Sequence, residues 1–251
     1  DKSPYTAGHC NRVPELGLML VECAAKSNLP AFAAFDFKDE DEHREFRIAA
    51  WLHDCGKITT PEHIVDKGTK LEVIYNRIHE IRMRFEVLWR DAQIHYYTQC
   101  IETPNKQQEH KAELDKTFIQ LTADFEFIAN ANVGGEFMST ENIDKLHQLA
   151  QTTWLRHFSD KLGLSPIEEL NYPQNEESLP VKELLLSNKP QHKIKRDFPV
   201  HFDEKFGIKM EIPEYLYNQG ELYNLSIGRG TLTVEDRFKI TINVPSDYKE
   251  I

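Results

Sequence analysis

Long hydrophobic runs are absent from this chain. No apolar stretch approaches the roughly 18–20 residues that cross a bilayer, and no signal peptide is visible, so the expectation is a cytoplasmic protein without a membrane span. Cysteine is scarce: Cys10, Cys23, Cys55 and Cys100 show neither CxxC nor secretory spacing and read as reduced, mostly packed thiols. Positive charge is also short, with 30 Lys and Arg against 41 Asp and Glu for a net charge of −11. That excludes a general nucleic-acid-binding surface, because backbone phosphates require clustered cations, whereas a small nucleotide needs only a local basic pocket. Walker loops, GxGxxG, GxSxG, low-complexity tracts and solenoid-length repeats are missing, so none of the chemistries they serve is indicated. The 251 residues suffice for one large or two small domains with an ample core.

What is present is concentrated in residues 51–57, Trp-Leu-His-Asp-Cys-Gly-Lys. The upstream residues Phe46, Ala49, Ala50 and Leu52 are apolar at helical spacing, which predicts a buried helix with His53 and Lys57 on one face and Asp54 a quarter-turn away. Burying His53 and Asp54 unpartnered would cost roughly 2–7 kcal/mol, more for charges. A shared divalent cation removes that cost, while the plain alternative is a surface His–Asp pair before a helix end at Gly56. Upstream, Val13, Leu16, Leu20 and Ala24 repeat at 3-4-4 spacing back to His9, which predicts that His9 heads a buried stripe. Pro14 inside that pattern predicts a break near Val13 and two helical pieces. Cys55 reads as a small core residue.

Three segments taken together resemble the HD-GYP branch of the HD-domain metal-dependent phosphohydrolases. They are His9-Cys10-Asn11-Arg12-Val13, Leu52-His53-Asp54-Cys55-Gly56-Lys57-Ile58, and Pro61 with the Asp66-Lys67-Gly68-Thr69 turn. The likeness covers roughly residues 1–90, and Arg229–Arg237 resembles a later element leading into another metal-binding helix. The resemblance implies a mostly α, HD-domain-like helical bundle. It implies a two- or three-metal centre that cleaves cyclic dinucleotide phosphodiesters such as cyclic di-GMP, as the output end of a signalling protein. By the same resemblance His9, His53 and Asp54 hold the first metal, Asp54 bridges to a second, and Lys57 and Arg12 serve the substrate phosphate. His79 is the candidate for the next histidine, although it stands closer to Leu71 than the family spacing has it.

The sequence departs from that pattern in ways that shape the expectation. Tyr5 stands where trinuclear members carry glutamate, which argues for two metals rather than three. The paired histidines, the Gly-Tyr-Pro motif and the downstream aspartate are absent, which leaves either an incomplete record of a longer domain or a degenerate member. In the first case an upstream sensor or membrane domain is compatible with this chain. Mixed His and Asp ligation suits Fe, Mn, Zn or Ni without choosing among them. Two further readings stay open: a non-catalytic HD-like module that dimerises or binds partners through its helical hairpin, and a general nucleotide phosphohydrolase.

The remaining chain divides on pattern into residues 1–99 with the His and His-Asp motifs, an insertion over 100–220, and a return to the common domain over 221–251. Ile74, Ile78, Ile81, Phe85 and Leu88 repeat at 4-3-4-3 spacing, as do Leu114, Phe118, Leu121, Phe125 and Ile128, predicting a long antiparallel helical hairpin turning at Pro104-Asn105. The arginines of its first arm (Arg77, Arg82, Arg84, Arg90) read as a solvated face interleaved with Glu80, Glu86 and Asp91. Ser139 or Thr140 is expected to cap a helix reaching about Leu162 with Trp154 and Phe158 inward, and its His147 and His157 are expected to be structural. Residues 164–217, punctuated by six prolines, read as an ordered irregular connector with a small hairpin around Gly207–Ile212. Thr233-x-x-Asp236 looks like a capping box opening a last helix through Ile240.

Overall fold

The computed structural model describes residues 4–37, 39–135, 137–174, 178–197, 200 and 210–242. The protein is mostly helical, with two small two-stranded antiparallel sheets among these residues. It divides into two compact units: Asp1–Asp66 with Phe198–Ile212 and Asp236–Ile251, and Lys67–Asp197 with Pro213–Glu235.

The first unit is built on α1 (Pro4–Ala25) and α2 (Glu40–Leu52). α1 runs through Pro14 without the expected break. A proline removes one amide donor, but turns on both sides remain hydrogen-bonded, and here the ring is buried. α2 starts where chemistry favours it: the Asp39 side chain accepts from Asp41 N at 3.0 Å, Asp39 N donates to Glu42, and Glu40, Asp41 and Glu42 face the positive end of the helix dipole. The two helices pack antiparallel at Gly17, where a Cβ would lie 2.9 Å from the Phe46 ring. The buried stripe expected on α1 is not buried, since Leu16 is 57% and Leu20 72% exposed. Contact goes instead to the side carrying Pro14 and Gly17, because the smallest residue admits the neighbouring helix most closely. Nor is α2 the expected buried helix: none of its residues is buried and Trp51 is exposed, as a helix packed on one neighbour covers only one strip. A turn at Cys55–Ile58 and the short α3 (Glu62–Val65) follow, with the Thr59 and Thr60 hydroxyls both donating to the Gly56 carbonyl.

The second unit contains the hairpin. α4 (Ile78–Glu102) and α5 (Gln107–Val133) turn at Pro104–Lys106 and run antiparallel. Trp89 stacks on Phe118 with ring centres 3.6 Å apart, and Phe85 meets Phe125 edge-on. Ile74 does not extend the first arm, being 88% exposed. Glu72 holds the preceding turn by accepting from the Gly68 and Thr69 amides, and Leu71 N is tied to the Asn132 side chain, so helical geometry begins only at Ile78. α5 ends at Gly134, whose φ of 76° a side chain would strain. Ser139 caps α6 (Thr140–Ala150) by accepting from Asn142 N. The helix expected to reach Leu162 stops at Ala150, because the β-branched Thr152-Thr153 pair leads into β1 (Thr153–Arg156), and Phe158 is 82% exposed.

β1 pairs with β2 (Val181–Leu184), after the short α7 (Pro166–Glu169), and β3 (Lys193–Lys195) pairs with β4 (Tyr215–Asn218). Of the hairpin expected around Gly207–Ile212, positions 207–209 lie outside the described residues, and Met210–Ile212 are not in a strand. After α8 (Glu221–Leu225) comes α9 (Val234–Ile242), which opens directly after Thr233. The core of this unit comprises Leu71, Ile81, Ile128, Leu146, Leu185, Leu186 and Leu225 with their neighbours.

A buried ionic cluster sits beside that core. Glu221 is fully buried and accepts from Arg84 Nη1 at 2.8 Å, Arg84 Nη2 at 2.9 Å and Ser187 N at 3.2 Å. Burial pushes its pKa up, but the Arg84 hydrogen bonds and charge outweigh this and hold the carboxyl below its ordinary value. Arg77 donates to the Gln219 carbonyl. The nearby His192 has a buried Nδ1 without a hydrogen-bond partner, and burial, with Arg77 adding repulsion, pushes its pKa down to about 4. Between that value and the ordinary 6.5 the unfolded chain binds more protons than the folded one, so stability falls as pH drops through this window. Allowing for the partial exposure of the ring, the loss attributable to His192 is about 2–3 kcal/mol. Denaturant midpoints across the window should fall less steeply for His192→Gln than for wild type, and identical slopes would refute the assignment.

Candidate metal centre

Two helices deliver the cluster. His9 lies in the second turn of α1, and His53 is the residue that ends α2, with Asp54 directly after it. The antiparallel packing brings residues 44 positions apart face to face: His9 Nε2 is 3.2 Å from His53 Nε2, and the ring centres are 5.3 Å apart. Asp54 Oδ2 completes a triangle, 3.6 Å from His9 Nε2 and 3.2 Å from His53 Nε2. A tetrahedral ion with bonds of ~2.0–2.1 Å would set its ligands about 3.4 Å apart, so the donor atoms have the separations such an ion needs.

Orientation agrees with spacing. His53 Nδ1 lies 2.5 Å from the Ala50 carbonyl, so it carries the proton and leaves the Nε2 lone pair pointing into the triangle. Asp54 has a side chain only 14% exposed, and its Oδ2 is the atom that meets His9, His53 and Lys57. Lys57 donates to the same oxygen at 2.8 Å. It does so from the turn Cys55–Ile58 at i,i+3 rather than from the same helix face, because α2 stops at Leu52. The donors have the composition that suits Fe, Mn, Zn or Ni, and a cation held there would compete with the Lys57 ammonium for Oδ2.

The other candidates are placed as follows. Arg12 is exposed on α1, three residues beyond His9. His79 is on α4 in the second unit, where Arg82 Nη1 donates to its Nδ1 at 2.6 Å and the Tyr75 ring packs at 5.5 Å. Among the described residues the metal-compatible group is His9, His53 and Asp54, without His79. Cys55 is a half-buried free thiol, Cys23 is exposed rather than packed, and His147 and His157 are both exposed. The interactions that sequence reasoning missed are those of Arg84 with Glu221, 137 positions apart, and of Lys70 with the carbonyls after α8. Arg84 reads as one of several solvated arginines, and no spacing signal marks its partner.

No family model, curated protein or solved structure matches the chain. No helix among the described residues is long and apolar enough to cross a membrane.

Proposed function

We propose that the first unit is a metal-dependent phosphodiesterase unit of HD type, acting on a cyclic dinucleotide such as cyclic di-GMP. The observation that supports this most is the triangle of two imidazole nitrogens and one carboxylate oxygen at 3.2–3.6 Å, on residues that also carry the resemblance to the HD-GYP family. Bound divalent cations would acidify a water and neutralise charge on the phosphoryl group. The chain's own residues divide the remaining work. His9 and His53 would offer ring nitrogens to a cation, and the hydrogen bond between Nδ1 and the Ala50 carbonyl turns His53 Nε2 toward the triangle. Asp54 would hold a cation through its carboxylate, and by the family resemblance would share it with a second ion. Lys57, once released from Oδ2, presents a mobile point charge to a phosphate oxygen, and Arg12 adds a second cation near the α1 ligand. Three ligands furnish part of a two-metal set.

Elemental analysis and a cyclic di-GMP hydrolysis assay on wild type and His53→Ala test the reading. Wild type should carry transition metal and hydrolyse the substrate, and the variant should remain folded with turnover lowered by at least about 100-fold. Unaltered turnover in the variant would sink it. A panel of nucleotide phosphate esters separates a cyclic dinucleotide enzyme from a general phosphohydrolase. A second reading, a module that associates through its hairpin, draws on Ile94, Tyr97 and Ile101, which form one exposed apolar stripe on α4. Ile81 and Phe85 are not available for that role, since both belong to the core. Its mark would be a dimeric mass with neither metal nor hydrolysis in the wild type.

A further inference from the structure

Lys70, in the second unit, is only 2% exposed and takes no part in the proposed chemistry. Its Nζ donates to the Leu225 carbonyl at 2.9 Å and the Ile227 carbonyl at 2.7 Å, tying down the end of α8. An ammonium has three protons to donate, and beyond these carbonyls its hydrogen-bonding neighbour is the Met138 thioether, a weak acceptor at 3.8 Å. Among the described residues no carboxylate pairs with it, in contrast to Arg84 and Glu221. Burial alone pushes the Lys70 pKa down to about 8, with no opposing anion to restore it.

Lys70 lines a cavity of about 340 Å³. Phe127, Ala131, Met138 and Ile227 give it apolar lining, and Asn130 and Asn142 are its neutral polar residues. Among the described residues that line it, Lys70 is the only ionisable one. The volume lies at the small end of ligand sites and holds a molecule of roughly ten to fifteen non-hydrogen atoms.

We infer that this cavity binds a small organic monoanion, a carboxylate on an apolar or aromatic body, with Lys70 meeting the carboxylate. A charge-assisted hydrogen bond to the third ammonium proton supplies a stronger acceptor than the Met138 thioether, the one the described residues offer. A dianion fits worse, because a single cation would leave its second charge buried and unbalanced. A lysine that served only to tie α8 would need neither the cavity nor the spare donor. The site is independent of the metal-centre reading.

Phenylacetate is a suitable probe for the whole chain, followed by the Met138 methyl resonance and by thermal unfolding. The expected result is a saturable Met138 shift and a raised Tm, with neutral phenylacetamide and inorganic phosphate each at least about tenfold weaker. Lys70→Met strips two carbonyls of their donor and could fail to fold, so Gly228→Leu carries the test. Gly228 lines the cavity and has a negative φ, and a Cβ there meets nothing within 4 Å, so a leucine adds bulk at the cavity wall with the backbone undisturbed. That variant should fold normally and lose phenylacetate binding by about tenfold or more. An unmoved Met138 signal, equal binding of phenylacetamide, or undiminished binding by Gly228→Leu would each overturn the inference.

Discussion

Glu221→Ala is expected to destabilise the second unit by about 3–5 kcal/mol, a large share of the stability of any domain of this size. The carboxylate is fully buried and accepts three hydrogen bonds, two of them from Arg84. Removing it leaves the Arg84 guanidinium, itself 16% exposed, in a poorly solvated position beside Arg77, with the half-exposed Glu80 at 3.9 Å as its remaining ion-pair partner. It also strips Ser187 N of its acceptor, where that amide helps join the segment after β2 to the start of α8. Glu221→Gln keeps shape and one acceptor but loses the charge, so it should fall between alanine and wild type. The joint replacement Arg84→Met with Glu221→Leu should recover much of the loss, because removing both charges removes the desolvation problem with the attraction. Denaturant midpoints for the four proteins measure this directly. A Glu221→Ala cost below about 1 kcal/mol would mean that water reaches the pair and that it behaves as a surface bridge.

Asp54→Asn is expected to lower transition-metal affinity by at least about 100-fold while changing stability by less than about 1 kcal/mol. The substitution conserves volume and leaves one oxygen, but an amide oxygen is a far weaker ligand than a carboxylate and cannot bridge two ions. It also removes the counter-charge that Lys57 holds at 2.8 Å, so the ammonium is left facing the space a cation would occupy. Repulsion and weaker donation act in the same direction. Calorimetric titration with Mn or Zn would read the affinity, and circular dichroism would show that the fold persists. Equal affinity in the variant would show that the carboxylate takes no part in holding an ion.

The parts of this molecule that were legible in its sequence are those governed by local rules. The 4-3-4-3 repeats around Phe85 and Phe125 mark the two arms of the hairpin, and Ser139 and Thr233 stand where helices begin. The errors come where long-range packing decides. Ile74 continues the periodicity but lies in a turn fixed by Glu72 and Asn132, and Trp154 sits at helical spacing yet pairs in a strand with Glu183, 29 residues further on. The candidate site gives a sharper lesson. His9 lies against His53, but not because an apolar stripe buries it, since Leu16 and Leu20 are exposed. Arg84 and Glu221 left no trace in the sequence because one buried carboxylate in a charged chain looks like any other until its partner arrives.

The close approach at Gly17 reaches further than its own neighbourhood. His9 stands eight residues up α1 from it, about 12 Å along the axis, and His53 stands seven residues along α2 from Phe46. The gap between the two imidazoles is therefore governed from a fulcrum two turns away, where a single hydrogen atom takes the place of a side chain. Bulk added there would act as a wedge between the arms of a pair of tweezers, and the grip would slacken at the tips without any ligand being altered.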